Sequence, residues 1–266
     1  MNAEALKTID FPVGASGVAI CVPVLNERES IGALWGRIAI ALEGRDWTVV
    51  FVDDGSTDGT LAWLEAKHAD DPRCAFLRRT KNGPGCQRGA ATRAGLEWLL
   101  AHTTHGVFVD LDCDGSQRPE ELPAGIERVE QGGRDVVIAS KYVQGARVLG
   151  RSALRRLGSR TYNVMLRALL VSRIRDYSNS YRFYTRAAAE LLLRYPASYT
   201  TPVYLIEMMA IWLANGLRIE EFPTLYADRV GGSSKVSLAD PLRGFAGAWD
   251  VGRRYRRGEY ARRNSP

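Results

Sequence analysis

The segment Thr48–Thr60 reads TVVFVDDGSTDGT, and it decides the fold. It opens with a largely apolar run that has the length of a buried strand, and Asp53 and Asp54 follow at once. A glycine turn then leads into a helical pattern that Asp58 is predicted to cap. This order is typical of a parallel α/β sheet, whose ligands bind beyond the carboxyl ends of the strands. We therefore expect Asp53 and Asp54 to contact a ligand; the alternative is a simple turn and helix cap.

The same alternation of strand and helix patterns extends to both sides of this segment. In the first half, the predicted strands are Val18–Val24, Thr48–Val52, Ala75–Leu77, Gly106–Leu111 and Asp135–Ala139, and the predicted helices are Ser30–Leu42, Thr60–Lys67, Ala90–Ala101 and Glu121–Glu130. In the second half, the pattern gives a helix over Ser152–Leu170, a strand over Ser180–Tyr184, a helix over Tyr204–Asn215 and a strand over Leu217–Phe222. The alternation predicts an α/β fold with a parallel sheet and right-handed crossovers.

The composition is that of an ordinary soluble globular protein, with 266 residues of which 45% are hydrophobic and 25% charged. The longest stretch without a charged side chain, Phe11–Asn26, is shorter than the ~20 apolar residues that span a bilayer. Met1–Pro12 contains two acidic residues and no apolar core, so we expect no signal peptide. The four cysteines form no CxxC pair, which favours reduced thiols over disulfides or a zinc site.

The net charge of +6 is unevenly distributed along the chain. Residues 1–146 are acidic overall, whereas residues 147–186 contain ten arginines, no lysine and one acidic residue. A second basic segment, residues 243–266, contains seven arginines and two acidic residues. Arginine without lysine favours forked recognition of phosphate or carboxylate, and the alternative is a solvated helix face. No helix-turn-helix, RRM, KH or zinc-finger pattern is present, so we expect no nucleic acid partner.

A second acidic turn, with carboxylates at Asp110, Asp112 and Asp114, follows the fourth predicted strand. Carboxylates this close repel one another, so a divalent cation is their natural partner. Oxygen ligands suit Mg²⁺ or Mn²⁺, which usually also hold substrate phosphates; the alternative is a polar loop. The three histidines are too scattered for a zinc site. The glycine-rich segment Gly83–Gly89 matches neither common nucleotide-binding frame, and we expect it to form a turn before the third helix.

Several short motifs occur in a fixed order along the chain. They are Val22–Glu27 (VPVLNE), Val52–Thr60 (VDDGSTDGT), Asp112–Glu120 (DCDGSQRPE), Ser140–Tyr142 (SKY), Asp176–Arg182 (DYSNSYR), Glu221–Pro223 (EFP) and Arg229–Lys235 (RVGGSSK). In this combination the chain resembles the GT-A glycosyltransferases of family 2, and most closely their dolichol-phosphate mannose synthase and polyprenyl-phosphate glycosyltransferase branch. The resemblance implies a GT-A catalytic domain over residues 1–237, with a mixed, mostly parallel sheet flanked by helices. A basic amphipathic extension over residues 238–266 would follow it.

The resemblance also implies roles for individual residues. The nucleotide sugar would be bound by Pro23, Leu25, Glu27, Val52, Asp54, Cys113, Lys141, Arg229 and Lys235. A Mg²⁺ or Mn²⁺ cofactor would be bound by Asp112, Asp114 and Ser116. The acceptor phosphate would be bound by Arg155 and Ser159 on the arginine-rich helix, and these two residues complete the implied catalytic set with Asp112 and Asp114.

Four positions depart from the family pattern. Leu25 stands in place of tyrosine, Ser116 in place of glutamine, Lys141 in place of arginine and Ser180 in place of glycine. These changes affect the packing of the nucleoside, one metal ligand and the forked contact to the diphosphate. They leave open the identity of the donor and the size of the acceptor.

The reaction implied by the resemblance is a metal-dependent, inverting transfer of a hexose from GDP-mannose or a UDP-hexose to a polyprenyl or dolichyl phosphate. The metal would neutralise the leaving diphosphate, and an ionised lipid phosphate needs little help from a general base. One alternative is a soluble sugar or other small acceptor, which would need a carboxylate base such as Glu207 or Asp176. Another alternative is a non-catalytic scaffold that binds nucleotide sugars.

The C-terminal extension carries an apolar stripe with arginines around and after it. Leu238, Leu242, Phe245 and Trp249 recur at spacings that put them on one face of a helix. A helix of this kind lies in the membrane interface, with its arginines facing anionic lipid. We therefore expect Leu238–Arg263 to be a peripheral anchor rather than a core helix, and the protein to be cytoplasmic and bound to the cytoplasmic membrane face. The alternative is that the stripe packs on the domain's own core.

Overall fold

The computed structural model describes residues 17–80, 87–150, 152–227 and 240–261, with the backbone alone for residues 154, 155 and 240–242. The strands are β1 (Val18–Val24), β2 (Trp47–Asp53), β3 (Cys74–Arg78), β4 (Val107–Asp110), β5 (Val136–Ser140), β6 (Arg147–Leu149), β7 (Arg182–Thr185), β8 (Ile219–Pro223) and β9 (Leu225–Ala227). The helices are α1 (Arg28–Ala41), α2 (Thr60–Asp70), α3 (Arg88–His102), α4 (Leu122–Glu130), α5 (Ala153–Leu169), α6 (Arg186–Leu193), α7 (Tyr204–Ala214) and α8 (Asp240–Arg256). A short 3₁₀ helix covers Pro119–Glu121.

Seven strands form the central sheet, in the order β3-β2-β1-β4-β7-β5-β8. β1 pairs in parallel with β2 and with β4, whereas β7 runs antiparallel to both β4 and β5. The sheet is therefore mixed and mostly parallel, as the resemblance implied. The prediction of a parallel sheet, made from the alternation of elements, is wrong for β7. The reason is that β7 follows a loop at the carboxyl edge, so that its first residue, Arg182, lies opposite Asp110, the last residue of β4.

Helices cover both faces of the sheet, and each face has its own apolar core. On one face, α1, α2 and α4 contribute buried residues such as Ile31, Leu64 and Ile126. On the other, α3, α5, α6, α7 and α8 form a larger cluster around Trp212. Strands in the middle of the sheet are buried on both sides, and every residue of β2 is buried. This two-sided burial explains why the central strands read as continuous apolar runs rather than alternating patterns.

One α-helix, α6, and two strands, β6 and β9, were not anticipated from the sequence. The helix α6 is capped by Thr185, whose hydroxyl accepts a hydrogen bond from the Ala188 N–H at 3.2 Å. β6 and β9 pair in parallel as a separate two-stranded sheet. These two strands have three residues each, which is too short for a pattern of alternation to be recognised.

The C-terminal helix α8 packs on α5 and α7 through one face. Ala248 and Val251 are fully buried in the same cluster as α7, which corrects the expectation that this segment lies outside the core. On another face, Phe245 and Trp249 of the predicted stripe are 41% and 61% exposed. Leu238 lies outside the described residues. Within the described parts of the chain, no helix is both long enough and apolar enough to span a bilayer.

Candidate active site

The carboxyl ends of β1, β2 and β4 meet at one edge of the sheet, and the predicted motifs follow these strands. The Asp54 N–H donates to the Val24 carbonyl at 3.1 Å. The Leu111 N–H donates to the Cys21 carbonyl at the same distance. These bonds continue the parallel pairing beyond the strand ends. They bring the turn after β2 and the acidic loop Asp110–Ser116 to either side of β1.

The loop after β1 is fastened to the turn after β2. The Asn26 side-chain oxygen accepts a hydrogen bond from the Thr57 N–H, and the Asn26 N–H donates to the Ser56 hydroxyl, both at 2.8 Å. Asn26 has a positive φ of 53°, which asparagine tolerates better than most residues. Three predicted nucleoside residues lie half-buried on or next to this fixed loop: Pro23, Leu25 and Glu27.

The two aspartates after β2 have different partners. Asp53 is fully buried and accepts hydrogen bonds from the N–H and the hydroxyl of Ser56, so it shapes the turn. Asp54 is also buried, at 7% exposed, and forms an ion pair with Arg79 at 2.7 Å. Val52 is fully buried between the sheet and α3, which leaves its backbone for the predicted contact with a nucleoside.

The acidic loop after β4 is ordered by polar side chains. Asp112 Oδ2 accepts hydrogen bonds from Gln117 Nε2 and the Ser180 hydroxyl, both at 2.9 Å. Asp112 Oδ1 forms an ion pair with Arg88, the first residue of α3. Asp114 Oδ1 accepts from the Ser116 N–H at 3.0 Å. The two carboxylates and the serine that were predicted to bind metal therefore belong to one tight turn.

The side chains of Asp110 and Cys113 are buried beneath this turn. Asp110 is buried and accepts a hydrogen bond from the Tyr184 hydroxyl at 3.0 Å. Burial raises the pKa of Asp110 to about 6, against the opposite effect of that bond. Cys113 is buried in the core, with its sulfur 3.7 Å from the Ser30 hydroxyl. The prediction that all three alternate aspartates face one ligand is thus wrong for Asp110.

The fit to a divalent cation can be judged from the turn itself. No group of three or more histidine, cysteine, aspartate or glutamate side chains is arranged as a metal site within the described residues. The candidate set instead combines the carboxylates of Asp112 and Asp114 with the hydroxyl of Ser116. Ser116 is 1% exposed, and its hydroxyl oxygen has no hydrogen-bond partner, which is costly for a buried polar atom. The oxygen chemistry of this set therefore fits Mg²⁺ or Mn²⁺, although Arg88 already contacts one of its carboxylates.

Lys141 lies just beyond the end of β5. Its ammonium is 3.8 Å from Asp176 and 4.9 Å from the centre of the Tyr226 ring, and its side chain is 6% exposed. β9, which contains Tyr226, is joined to the acidic loop by a bond from the Ala227 N–H to the Ser116 carbonyl at 3.2 Å. The predicted diphosphate residues Arg229 and Lys235 follow shortly after β9 and lie outside the described residues.

The arginine-rich helix α5 contacts this region at Ser159. The Ser159 hydroxyl is 2.5 Å from the hydroxyl of Tyr142, which follows Lys141 in the chain. One turn further along α5, Asn163 accepts a hydrogen bond from the Tyr177 N–H at 2.7 Å. The side chain of Arg155 is not described. The predicted acceptor residue Ser159 therefore contacts Tyr142, which is the next residue after the predicted donor residue Lys141.

The two carboxylates proposed as bases for a soluble acceptor are both engaged in structural contacts. Asp176 is fully buried and accepts hydrogen bonds from the N–H groups of Lys141, Ser178 and Asn179. Glu207 is 5% exposed and accepts from the Tyr260 hydroxyl at 3.2 Å, with Arg254 at 3.4 Å. Glu207 therefore fastens the C-terminal segment to α7.

Three residues of the site were missed by sequence reasoning. Arg79, just after β3, and Arg88, on α3, contact the acidic turns from distant parts of the chain, and no local pattern marks them. Gln117 was quoted only as part of a motif, although it bonds both the backbone and the side chain of Asp112. Its place five residues after Asp112, in a turn, was the signal that could have identified it.

Comparisons with known proteins agree with this arrangement. Residues 19–193 match the family model described as Glycosyl transferase family 2. The chain is 34% identical over 221 residues to a polyprenol monophosphomannose synthase of Mycolicibacterium smegmatis, covering 82% of this chain and 80% of that protein. It is 33% identical to an undecaprenyl-phosphate mannosyltransferase of Micrococcus luteus, covering 83% of this chain and 87% of that protein.

Among solved structures, the chain resembles glucosyl-3-phosphoglycerate synthase from Mycobacterium tuberculosis, crystallised with Mg²⁺ and uridine diphosphate. The TM-score is 0.63 with 19% identity, and the match covers 89% of this chain and 79% of that one. A likeness at this level of identity concerns the fold alone. It confirms the predicted GT-A class, with a mixed, mostly parallel sheet between layers of helices.

Proposed function

The chain belongs to glycosyltransferase family 2, and we propose that it transfers a hexose from a nucleotide sugar to a polyprenyl phosphate. The observation that carries the proposal is the contact between Tyr142 and Ser159. It joins the donor side of the site, at Lys141, to an arginine-rich helix suited to an anionic acceptor. One relative is named a polyprenol monophosphomannose synthase and another an undecaprenyl-phosphate mannosyltransferase, which supports the same class of acceptor.

The engagement of the two candidate base carboxylates also favours a phosphate acceptor. A neutral hydroxyl must lose its proton to a base during transfer, and such a base must reach the acceptor oxygen. Asp176 is fully buried and Glu207 is held by Tyr260 and Arg254, so neither is suited to that task. A lipid phosphate is already ionised at neutral pH and attacks without a base.

The proposed reaction is a single displacement at the anomeric carbon. An oxygen of the acceptor phosphate forms a bond to this carbon while its bond to the nucleoside diphosphate breaks, and the leaving group keeps the electron pair. Attack from the opposite side inverts the anomeric configuration. Arg155 and Ser159 position the acceptor phosphate. The proposed donor residues on and around the strand-end turns are Pro23, Leu25, Glu27, Val52, Asp54 and Cys113. Lys141, after β5, joins them, and so do Arg229 and Lys235, which lie outside the described residues.

A divalent cation is part of the proposal. Asp112, Asp114 and Ser116 would hold Mg²⁺ or Mn²⁺, and such an ion, when bound, neutralises charge on the leaving diphosphate. The support from this chain is the unpartnered, buried hydroxyl of Ser116 beside two carboxylates. The structural neighbours crystallised with Mg²⁺ or Mn²⁺ and uridine diphosphate are consistent with it.

Transfer can be tested with radiolabelled GDP-mannose, UDP-glucose and UDP-galactose, each offered with undecaprenyl phosphate in detergent. The matched control acceptor is undecaprenol, which has the same chain and lacks the phosphate. We expect label in the organic phase with one donor, with the phosphate acceptor alone, and loss of transfer in EDTA. Equal labelling of undecaprenol, or transfer to a soluble sugar and to no lipid, would contradict the proposal.

We further propose that the acceptor is reached from a membrane surface on which α5 and α8 dock. The two helices pack side by side, with Tyr162 of α5 in edge-to-face contact with Phe245 of α8 at 5.0 Å. Four large apolar side chains on these helices are between 41% and 63% exposed: Leu157, Val164, Phe245 and Trp249. Exposed arginines lie among them: Arg156, Arg160, Arg167, Arg243, Arg253, Arg256 and Arg257. Apolar residues with arginines around them suit the interface of an anionic bilayer.

Vesicle flotation tests this docking surface. The full chain is expected to float with vesicles containing anionic lipid and to be released by high salt, because salt screens the attraction. The double variant Phe245→Glu/Trp249→Glu should bind roughly tenfold more weakly, because it removes apolar side chains that would become buried in the lipid on binding. Ile40→Glu on α1 is the matched control, because Ile40 is 77% exposed and belongs to a different helix. Equal binding to neutral and anionic vesicles, or normal binding by the double variant, would refute the docking surface.

A further inference from the structure

Arg88 occupies the place of a cation at the acidic loop. Its guanidinium forms an ion pair with Asp112 Oδ1, and its Nε donates to the Tyr204 hydroxyl at 3.1 Å. Tyr204 is 5% exposed and also accepts a hydrogen bond from Thr92 at 3.3 Å, so the arginine is held between a fixed hydroxyl and a carboxylate. The side chains of Arg88 and Asp112 are 21% and 14% exposed, which keeps this contact largely out of solvent.

The contact with Arg88 involves the Asp112 oxygen that accepts no hydrogen bond from Gln117 or Ser180. Asp112 Oδ2 accepts from Gln117 and Ser180, so Oδ1 is the oxygen left for a ligand, and Arg88 lies against it. A divalent ion on the same oxygen would face the positive guanidinium at close range. Two cations cannot share one partly buried oxygen without strong repulsion, because water screens them little there.

The Asp114–Ser116 part of the turn differs from Asp112. Ser116 has a buried hydroxyl with no hydrogen-bond partner, and Asp114 is oriented by the Ser116 N–H. This half suits a metal ion as it stands, whereas Asp112 does not until Arg88 moves. An incoming nucleoside diphosphate changes that balance, since its phosphate oxygens accept the forked guanidinium better than one carboxylate oxygen does.

From this juxtaposition we propose that Arg88 is a positioning residue that keeps divalent metal off Asp112 until the nucleoside diphosphate arrives. The Arg88 guanidinium then moves from its ion pair with Asp112 to the diphosphate, and Asp112 becomes available to the ion. Metal and nucleotide therefore bind together, each raising the affinity for the other. The inference rests on the proposed use of a nucleotide-sugar donor and a divalent ion.

The test is calorimetry with Mn²⁺ alone, with GDP or UDP alone, and with both, on the full chain. Arg88→Gln is the main variant, because glutamine removes the charge and keeps a donor for Tyr204. We expect Arg88→Gln to bind Mn²⁺ alone roughly tenfold more tightly than the natural chain and to bind the nucleotide alone more weakly. Arg88→Lys keeps the charge and should stay close to the natural chain for Mn²⁺ alone. Arg194→Ala, a change at an exposed arginine, should alter neither.

A thermal-shift series provides a second readout that does not depend on turnover. Mn²⁺ alone should raise the Tm of Arg88→Gln more than that of the natural chain. If Arg88→Gln binds Mn²⁺ no more tightly than the natural chain, while that chain transfers sugar in a Mn²⁺-dependent reaction, the role of Arg88 is refuted and the function stands. If the variant binds Mn²⁺ more tightly but the natural chain transfers sugar from no donor, the role of Arg88 stands and the function is refuted.

Discussion

The chain contains two acidic turns with the same core, Asp-Gly-Ser, one after β2 at Asp54–Ser56 and one after β4 at Asp114–Ser116. Both glycines have a positive φ, +91° at Gly55 and +75° at Gly115, a backbone conformation that side chains rarely adopt. The two turns therefore begin from the same local chemistry and nearly the same backbone. They differ in where their polar side chains are directed.

The first turn is closed upon itself. The Ser56 hydroxyl donates to the buried Asp53, and the Ser56 N–H donates to the same carboxylate at 3.2 Å. The second turn leaves the Ser116 hydroxyl buried without a partner. A turn that satisfies its own polar atoms serves as scaffold, whereas one with an open buried oxygen is suited to a ligand. The contrast supports our proposal that the first turn shapes the donor site and that the second turn binds the metal ion and the diphosphate.

The largest expected effect comes from the carboxylates of the second turn. Asp114→Asn, or Asp112→Asn, should lower the transfer rate on the order of 10³-fold, because each removes charge that would hold a divalent ion at the leaving group. Circular dichroism should show a folded chain in each case. Initial rates with and without EDTA measure the effect. Near-normal turnover of either variant, or of the natural chain in EDTA, would show that the second turn holds no essential metal.

A smaller effect should separate the two aspartates of the first turn. Asp53→Ala removes a buried carboxylate that bonds Ser56, so we expect the free energy of unfolding to fall by about 2 kcal/mol. Asp54→Ala, whose partner is Arg79, should change stability less but weaken nucleoside diphosphate binding more. Urea unfolding and titration calorimetry measure the two quantities. The reverse order in calorimetry would remove Asp54 from the nucleoside site.

The sequence was sufficient to predict where the two turns lie, but not how their serine side chains differ. The strand ends, the two turns and the parallel core follow from apolar runs and local turn chemistry, and the bounds of β1 agree to the residue. Residues of the site that lie close in the chain, such as Asp112, Asp114 and Ser116, could be grouped in advance. Local patterns carry this information because neighbouring residues share one turn.

Features that depend on the order of strands could not be predicted from local patterns. Arg88 meets Asp112 only because β1 lies between β2 and β4 and α3 packs against it. The antiparallel direction of β7 depends on the edge of the sheet at which the preceding loop ends. The stripe at Phe245 and Trp249 was found from its spacing, but the spacing could not reveal that Ala248 and Val251 join the core.

The smallest expected effect, and the sharpest comparison, concerns the two serines. Ser56→Ala should lower the free energy of unfolding by about 1 kcal/mol, because the buried Asp53 loses a hydrogen bond. Ser116→Ala should leave stability unchanged or raise it slightly, because it removes a buried hydroxyl that has no partner.

In the presence of Mn²⁺ and a nucleoside diphosphate, Ser116→Ala should become the more damaging of the two serine changes. Ser116→Ala should then lose several-fold in Mn²⁺ affinity, whereas Ser56→Ala should retain it, since of the two serines only Ser116 would supply an oxygen to the ion in the proposed site. Unfolding curves with and without Mn²⁺ and nucleotide, measured on both variants side by side, check both halves of the comparison. Equal loss of stability in the two serine variants would mean that the second turn is closed like the first.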